Sequence, residues 1–260
     1  MYKISSKIVF LDLDGTILND NNEILKSTEK GIKALKDKGI HVIISTGRSP
    51  QMFDWVLEKL DINSFIALNG QYAIFEGEEV YVNPMSKDIL KEITDFAFYN
   101  NHAIAYCGKG TIKINAKKDY MALNSYNSLN VTYPFVDESF YENFEIFQCH
   151  LFCEKNREVD YVAKFPDYNF IRWHKYALDV IPKNASKANG IYHMLKKIGI
   201  KKENCYAFGD GLNDIEMLSF VGTGIAMENG CFEAKSAANF ITSSNNNHGI
   251  LKGLEKIGVL

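Results

Sequence analysis

The chain has 260 residues, of which 46% are hydrophobic and 23% charged, and 29 Lys and Arg against 32 Asp and Glu give a formal net charge of −3. That length holds one large α/β domain or two modest ones, and the balanced charge, with no long basic run, argues against a nucleic-acid partner. No stretch approaches the roughly 18 apolar residues of a membrane helix, and Asp12 and Asp14 interrupt the apolar start before a signal segment could form, so a cytoplasmic protein without a membrane partner is expected.

Lys7 to Leu11 is a near-continuous apolar run, as expected of a strand buried on both faces. A helix is predicted over Ser27 to Lys38, with Ile32 and Leu35 on one face and Gly39 at its end. His41 to Ser45 reads as a second strand. Ser49-Pro50 reads as cap and first helical residue of a helix to Leu60, and Ser64 to Leu68 as a third strand. Strand–helix–strand–helix–strand implies a parallel sheet with right-handed crossovers.

Residues 84–185 differ. They hold 19 of the 33 aromatic residues, and strand candidates (Ala103 to Tyr106, Thr111 to Asn115, Ile146 to Cys153, Tyr168 to Trp173, Ala177 to Ile181) crowd this stretch. A separate α+β domain inserted into the α/β core is expected there. The core then resumes. Ser186 caps a helix through Ile198 ended by Gly199, Cys205 to Phe208 is a strand, and Asn213 to Phe220 a helix. Thr223 to Ala226 and Asn239 to Thr242 are short strands, and Gly249 to Ile257 is a closing helix. Ser243 to Asn247 is a low-complexity loop.

The five cysteines, Cys107, Cys149, Cys153, Cys205 and Cys231, have no framework spacing and read as free, mostly buried thiols. Cys149-His150-x-x-Cys153 lies within a strand candidate and lacks a second ligand pair, which argues against zinc.

Four segments carry candidate chemistry, each beside a predicted strand end or helix start. Asp12-Leu13-Asp14-Gly15-Thr16 follows the first strand, and ligands of open parallel sheets gather beyond the carboxyl ends of strands. Two carboxylates so close repel unless a cation intervenes, and a hard divalent ion such as magnesium suits oxygen donors and a phosphate substrate. Ser45-Thr46-Gly47-Arg48 offers a hydroxyl and backbone amides at a helix start, which suits an anion. Lys187 sits in a first helical turn, against the helix dipole, where facing an anion or several carboxylates would explain it. Gly209-Asp210-Gly211-Leu212-Asn213-Asp214 puts two further carboxylates and an amide after another strand. Each alone could be an ordinary turn or capped helix. Together they supply a carboxylate nucleophile, a proton donor, a metal site and fixed positive charge, the requirements of phosphoryl transfer.

In order and spacing these segments resemble the four motifs of the haloacid dehalogenase (HAD) superfamily, and specifically its Cof-type hydrolases with a large inserted cap. Asn69-Gly70, Gly224-Ile225-Ala226-Met227 and Lys235 add to the likeness. It implies a Rossmann-like parallel-sheet core over residues 1–83 and 186–260, with a cap over 84–185. It also implies a Mg2+-dependent phosphatase acting on small phosphate esters such as sugar phosphates. By that resemblance Asp12 would attack phosphorus, and Asp14 would protonate the leaving oxygen and then activate water. Thr46, with Gly47, and Lys187 would hold the phosphoryl group. Asp12, the Asp14 backbone carbonyl and Asp210 would bind the metal, Asp214 would support its outer sphere, and Asn213 would meet metal waters or phosphate. A carboxylate at Asp14 is the phosphatase or mutase pattern, since dehalogenases lack it and ion-pumping ATPases carry threonine. A phosphomutase or phosphotransferase, or a non-catalytic metabolite sensor on this fold, stay open as alternatives, in a monomer or small homo-oligomer. Glu228 and Gln71 depart from the family's commoner glycine and alanine. Trp173, His174 and Tyr126 are candidate specificity residues of the insert, although most of its aromatics are expected to fill its core.

Overall fold

A computed structural model describes residues 7–260, so the first six positions of the expected 1–83 segment lie outside it. In chain order, β1 (Ile8–Leu11), α1 (Lys26–Asp37), β2 (His41–Ser45), α2 (Asp54–Leu60), β3 (Phe65–Ala67), β4 (Tyr72–Phe75) and β5 (Glu78–Val82) come first. Next come α3 (Lys87–Tyr99), β6 (Ala103–Cys107), β7 (Ile112–Ile114), α4 (Tyr120–Ser128), β8 (Phe135–Val136), α5 (Phe140–Asn143), β9 (Gln148–Phe152), α6 (Glu158–Lys164), β10 (Tyr168–His174) and β11 (Ala177–Pro182). Then follow α7 (Lys187–Ile198), β12 (Cys205–Gly209), α8 (Ile215–Phe220), β13 (Thr223–Ala226), α9 (Phe232–Ala237), β14 (Phe240–Ile241) and α10 (Gly249–Lys256).

The chain divides into two compact units. One holds the described residues up to Gly47 with Asp54–Val82 and Ser186–Leu260, and the other holds Arg48–Phe53 with Asn83–Ala185. The first is built on an eight-stranded sheet of order β14-β13-β12-β1-β2-β3-β4-β5. The strands from β14 to β3 run parallel. Ile8 and Phe10 of β1 enter one apolar layer with Ile191, Met194 and Leu195 of α7 and Met217 and Leu218 of α8. On the other face, Gly253 of α10 lies against the Phe208 ring, and Gly31 of α1 against Leu254 of α10. Both faces are therefore covered, which is why β1 reads as an unbroken apolar run.

Two expectations for the first third of the chain need correction. The helix expected from Ser49 to Leu60 is broken. A 3-10 turn over Pro50–Met52 ends at Phe53, whose φ of −140° is not helical, and α2 starts afresh at Asp54. Ser49 makes no side-chain cap bond there. The third strand gives way to a turn in which Leu68, Asn69 and Gly70 have φ of 55°, 53° and 92°. Beyond these, β4 and β5, for which no element was expected, extend the sheet as an antiparallel edge.

The second unit carries a six-stranded sheet of order β10-β11-β9-β6-β7-β8. Its pairs are antiparallel except β7 with β8. Leu90 and Ile93 of α3 and Tyr161 of α6 cover one face together with Tyr106, Cys149, Leu151 and Val180. Tyr126 is fully buried and bonds His150 Nδ1 at 2.9 Å, so it is a core residue and not an exposed reader of substrate. Trp173 and His174 are partly buried, and Ser125 Oγ lies 2.8 Å from His174 Nδ1. The five cysteines are free, four of them buried. Among the described residues no helix is long and apolar enough to cross a membrane.

Candidate active site at the strand tips

Each side chain of the site is delivered by a local device. Asp12 is the first residue past β1, held by its backbone N–H donating to Phe208 O at 3.0 Å. The chain then turns through Gly15, at φ +76°, a conformation only glycine enters cheaply. Thr16 Oγ1 donates to Asp210 Oδ1 at 2.9 Å, which joins the first motif to the fourth. Lys187 starts α7 under a cap in which Ser186 Oγ accepts from Asn189 N at 3.2 Å. Asp214 lies in a 3-10 turn after β12.

These residues converge although nearly two hundred positions separate them. The carboxylates of Asp12, Asp210 and Asp214 offer oxygens that all lie within 4.8 Å of one another. Lys187 is fully buried, and its Nζ donates to Asp12 Oδ1 and, at 2.7 Å, to Asp214 Oδ1. Asp214 Oδ2 accepts the Asp210 and Gly211 N–H groups, each at 2.9 Å. Both oxygens of Asp214 are thus engaged, and its work is to orient Lys187 and the Asp210 loop. This explains a lysine in a first helical turn, because its neighbours are carboxylates and the helix dipole is a small term beside them.

Burial pushes the Asp12 carboxyl well above the usual carboxylate range, and Asp214, Asp210 and Asp14 add to the rise against the opposing Lys187. Burial and then Asp214 raise Asp210 to about 6, while the Thr16 hydroxyl opposes the shift. Burial alone would lower the Lys187 ammonium, but Asp12 and Asp214 outweigh it and hold it above its ordinary value. Three carboxyl groups face one ammonium, so ionising all of them in this largely buried, all-oxygen cluster would leave two negative charges uncompensated. That donor set and that charge fit a hard divalent cation.

Other predicted residues take positions around this group. Asp14 is exposed, on the turn beyond Asp12. Thr46 is buried at the β2 tip, its N–H donating to Ile66 O at 2.8 Å and its carbonyl accepting from Asn69 N at 3.2 Å. Gly47 is needed for space, because a Cβ there would lie 2.9 Å from Asn69 Oδ1. Asn213 is half-buried beside Gly211. The pairing of Thr16 with Asp210 was not foreseen, although Thr16 stands in the first motif. Nor was any role seen for Asn229, whose Nδ2 donates to Gly15 O at 2.8 Å. Cys149-His150-x-x-Cys153 forms no metal group. Cys149 and Cys153 enter the apolar core, and His150 bonds Tyr126 instead.

Residues 9–254 match the family described as haloacid dehalogenase-like hydrolase. The chain is 38% identical over 257 residues to "Putative phosphatase YkrA" of Bacillus subtilis (strain 168), covering 99% of this chain and 100% of that one. The crystal structure of a Geobacillus kaustophilus HTA426 protein superposes with a TM-score of 0.93 at 42% identity, over 98% of this chain and 99% of that one. The HAD subclass IIB sugar phosphatase BT4131 superposes with a TM-score of 0.86 at 27% identity, over 98% of this chain and 100% of its own.

Proposed function

For a chain that belongs to the haloacid dehalogenase-like hydrolases and is a phosphatase of that family, we propose that it hydrolyses small phosphomonoesters of the sugar phosphate class with Mg2+ and an aspartyl-phosphate intermediate. The observation that carries the reading is Lys187 Nζ between Asp12 and Asp214, with Asp210 in the same carboxylate group. Its likeness to a sugar phosphatase supports the substrate class.

Asp12 is the nucleophile. Lys187 on Oδ1 opposes the rise that burial imposes on the carboxyl and aims the second oxygen at phosphorus. A new Oδ–P bond forms as the ester P–O bond breaks, and the protonated Asp14 gives its proton to the leaving oxygen. Asp14, now a carboxylate, takes a proton from water, which attacks phosphorus and releases phosphate and Asp12. The hydroxyl of Thr46 and the amide of Gly47 hold phosphoryl oxygens, and Asn213 orients the phosphate from the opposite loop. Asp12, the Asp14 carbonyl and Asp210 would hold the cation, with Asp214 supporting the loop behind them. When bound, the cation would neutralise the excess negative charge and stabilise charge developing on the phosphoryl oxygens. Residues 84–185 form the cap in this reading and set the leaving-group preference, with 1–83 and 186–260 as the catalytic core.

The test is a panel of phosphate esters with magnesium. Asp12→Asn and Asp14→Ala should each lose several orders of magnitude in rate, since acid–base assistance alone is worth about 10²–10⁴-fold. Near-normal activity of Asp14→Ala would remove its role. Isomerised sugar phosphate without free phosphate would make the enzyme a mutase.

A further inference from the structure

The turn that carries Asp14 is closed on itself by Ile17 N–H to Asp12 O at 3.3 Å and Leu18 N–H to Leu13 O at 2.9 Å. Neither bond ties it to the rest of the site. Thr16 does so with its side chain, at Asp210 Oδ1, and Asn229 does so at the backbone. Its Nδ2 donates to the carbonyl of Gly15, one residue past Asp14, at 2.8 Å. The same short segment after β13 donates Cys231 N–H to Asp210 O at 2.9 Å. A single turn thus grips the backbone of both acidic loops.

Asn229 is itself locked from behind. Its Oδ1 accepts the Asn245 N–H at 2.9 Å, so the amide can present only its NH₂ to Gly15. Asn245 is 4% exposed, and its Nδ2 donates to Leu18 O at 3.0 Å and to Asp20 Oδ1 at 3.2 Å. Asn246 Nδ2 donates to Asp20 Oδ2 at 2.8 Å, and Asn246 Oδ1 accepts the Asp20 N–H at 3.3 Å. The loop Ser243 to Asn247, low-complexity in sequence, therefore holds the Leu18–Asp20 end of the Gly15–Asp20 stretch directly and the Gly15 end through Asn229.

We propose that Asn229, backed by Asn245, is a positioning residue that fixes the Gly15 peptide and so holds Asp14 in line for proton transfer to the leaving oxygen. The inference rests on the assignment of Asp14 as general acid. Proton transfer needs hydrogen-bond reach, and a displacement of about 1 Å costs about 100-fold. Asp14 is exposed on a turn, and a backbone clamped one residue further on, at Gly15, supplies that precision from beneath the side chain.

The leaving group separates this role from general loosening of the fold. An alkyl phosphate must have its departing alkoxide protonated, but 4-nitrophenyl phosphate releases a stable phenolate with little help. For Asn229→Ala and Asn229→Asp, kcat/KM on an alkyl phosphate should fall about 100-fold, and on 4-nitrophenyl phosphate less than about tenfold, at saturating magnesium and with the melting temperature retained. Asn245→Ala should give the same selective loss in weaker form. Asp14→Ala is the reference. If it shows the alkyl-selective loss and the Asn229 variants lose both esters equally, or neither, the clamp has no positioning role. If Asp14→Ala itself shows no selectivity, the acid assignment falls and the inference falls with it.

Discussion

Gly15 packs so closely on Asp210 that a Cβ at Gly15 would lie 2.3 Å from Asp210 Oδ2. The first and fourth motifs meet at this contact, and the positive φ of Gly15 closes the same position to L side chains a second time. Gly15→Ala should therefore displace the Asp210 carboxylate. We expect the rate to fall about 100-fold or more and magnesium affinity by calorimetry to weaken, with the circular dichroism spectrum retained. Unchanged metal binding would show that the contact is not structurally binding on Asp210.

Lys187→Met should be more damaging. The ammonium bonds Asp12 and Asp214 in a fully buried place, and breaking a buried pair leaves uncompensated charge at a cost of about 3–5 kcal/mol. Urea unfolding should report a loss of that order, and turnover should vanish. A variant as stable as the parent would mean that the carboxylates are neutral without the lysine.

Removal of metal tests the charge excess. Chelator should abolish phosphatase activity, and return of magnesium should restore it. Because binding to the folded state alone adds stability, magnesium at 100 times its dissociation constant should contribute about 2.7 kcal/mol. Full activity in excess chelator would exclude the metal from the reaction.

Gly70→Ala probes the left-handed turn behind the site. A Cβ at Gly70 would lie 1.9 Å from the Ser186 carbonyl oxygen, on the residue that caps α7 just before Lys187. With backbone on the other side of the clash, neither partner can yield by turning a side chain. We expect a destabilisation of about 3 kcal/mol or more and a loss of activity in the fraction that folds, read by melting temperature and kcat.

The insert should be acid-sensitive through His150. Burial lowers its imidazole from 6.5 to about 4, so burial prevails over the Asp179 carboxylate 3.7 Å away and the contact is not an ion pair. Between pH 4 and 6.5 the unfolded chain binds a proton that the folded insert refuses. Stability is therefore full above the unfolded value and drops as pH falls through that window, by about 3 kcal/mol in all. His150→Phe should flatten this part of the stability–pH curve in denaturant titrations. An equal slope in both proteins would refute the assignment.

Much of the fold was legible because it is locally encoded. β1 and β12 announce themselves as apolar runs since helices cover both their faces. α7 has a serine cap at one end and Gly199, at φ 75°, at the other. Lys187 stood out because its place in a first turn conflicts with the dipole, and the conflict pointed to the carboxylates it meets. Other elements left no local trace. The helix assigned from Ser49-Pro50 breaks at Phe53 despite a good start signal, and β4 and β5 are too short and too exposed in part to show a period. Leu68 and Asn69 adopt a left-handed backbone that nothing in their side chains favours together.

By itself, the sequence determined which strand tips carry acids, a hydroxyl and a lysine, and hence the class of chemistry. Only the tertiary structure decided that Asp214 spends both oxygens on Lys187 and the Asp210 loop, that Tyr126 is buried, and that Asn229 and Asn245 grip the Asp14 turn. The reason is range. Caps, turns and periodicity are written within a few residues of one another, whereas a bond such as that from Asn229 to Gly15 joins positions 214 apart, and its partners come together only when the parallel sheet places those loops side by side.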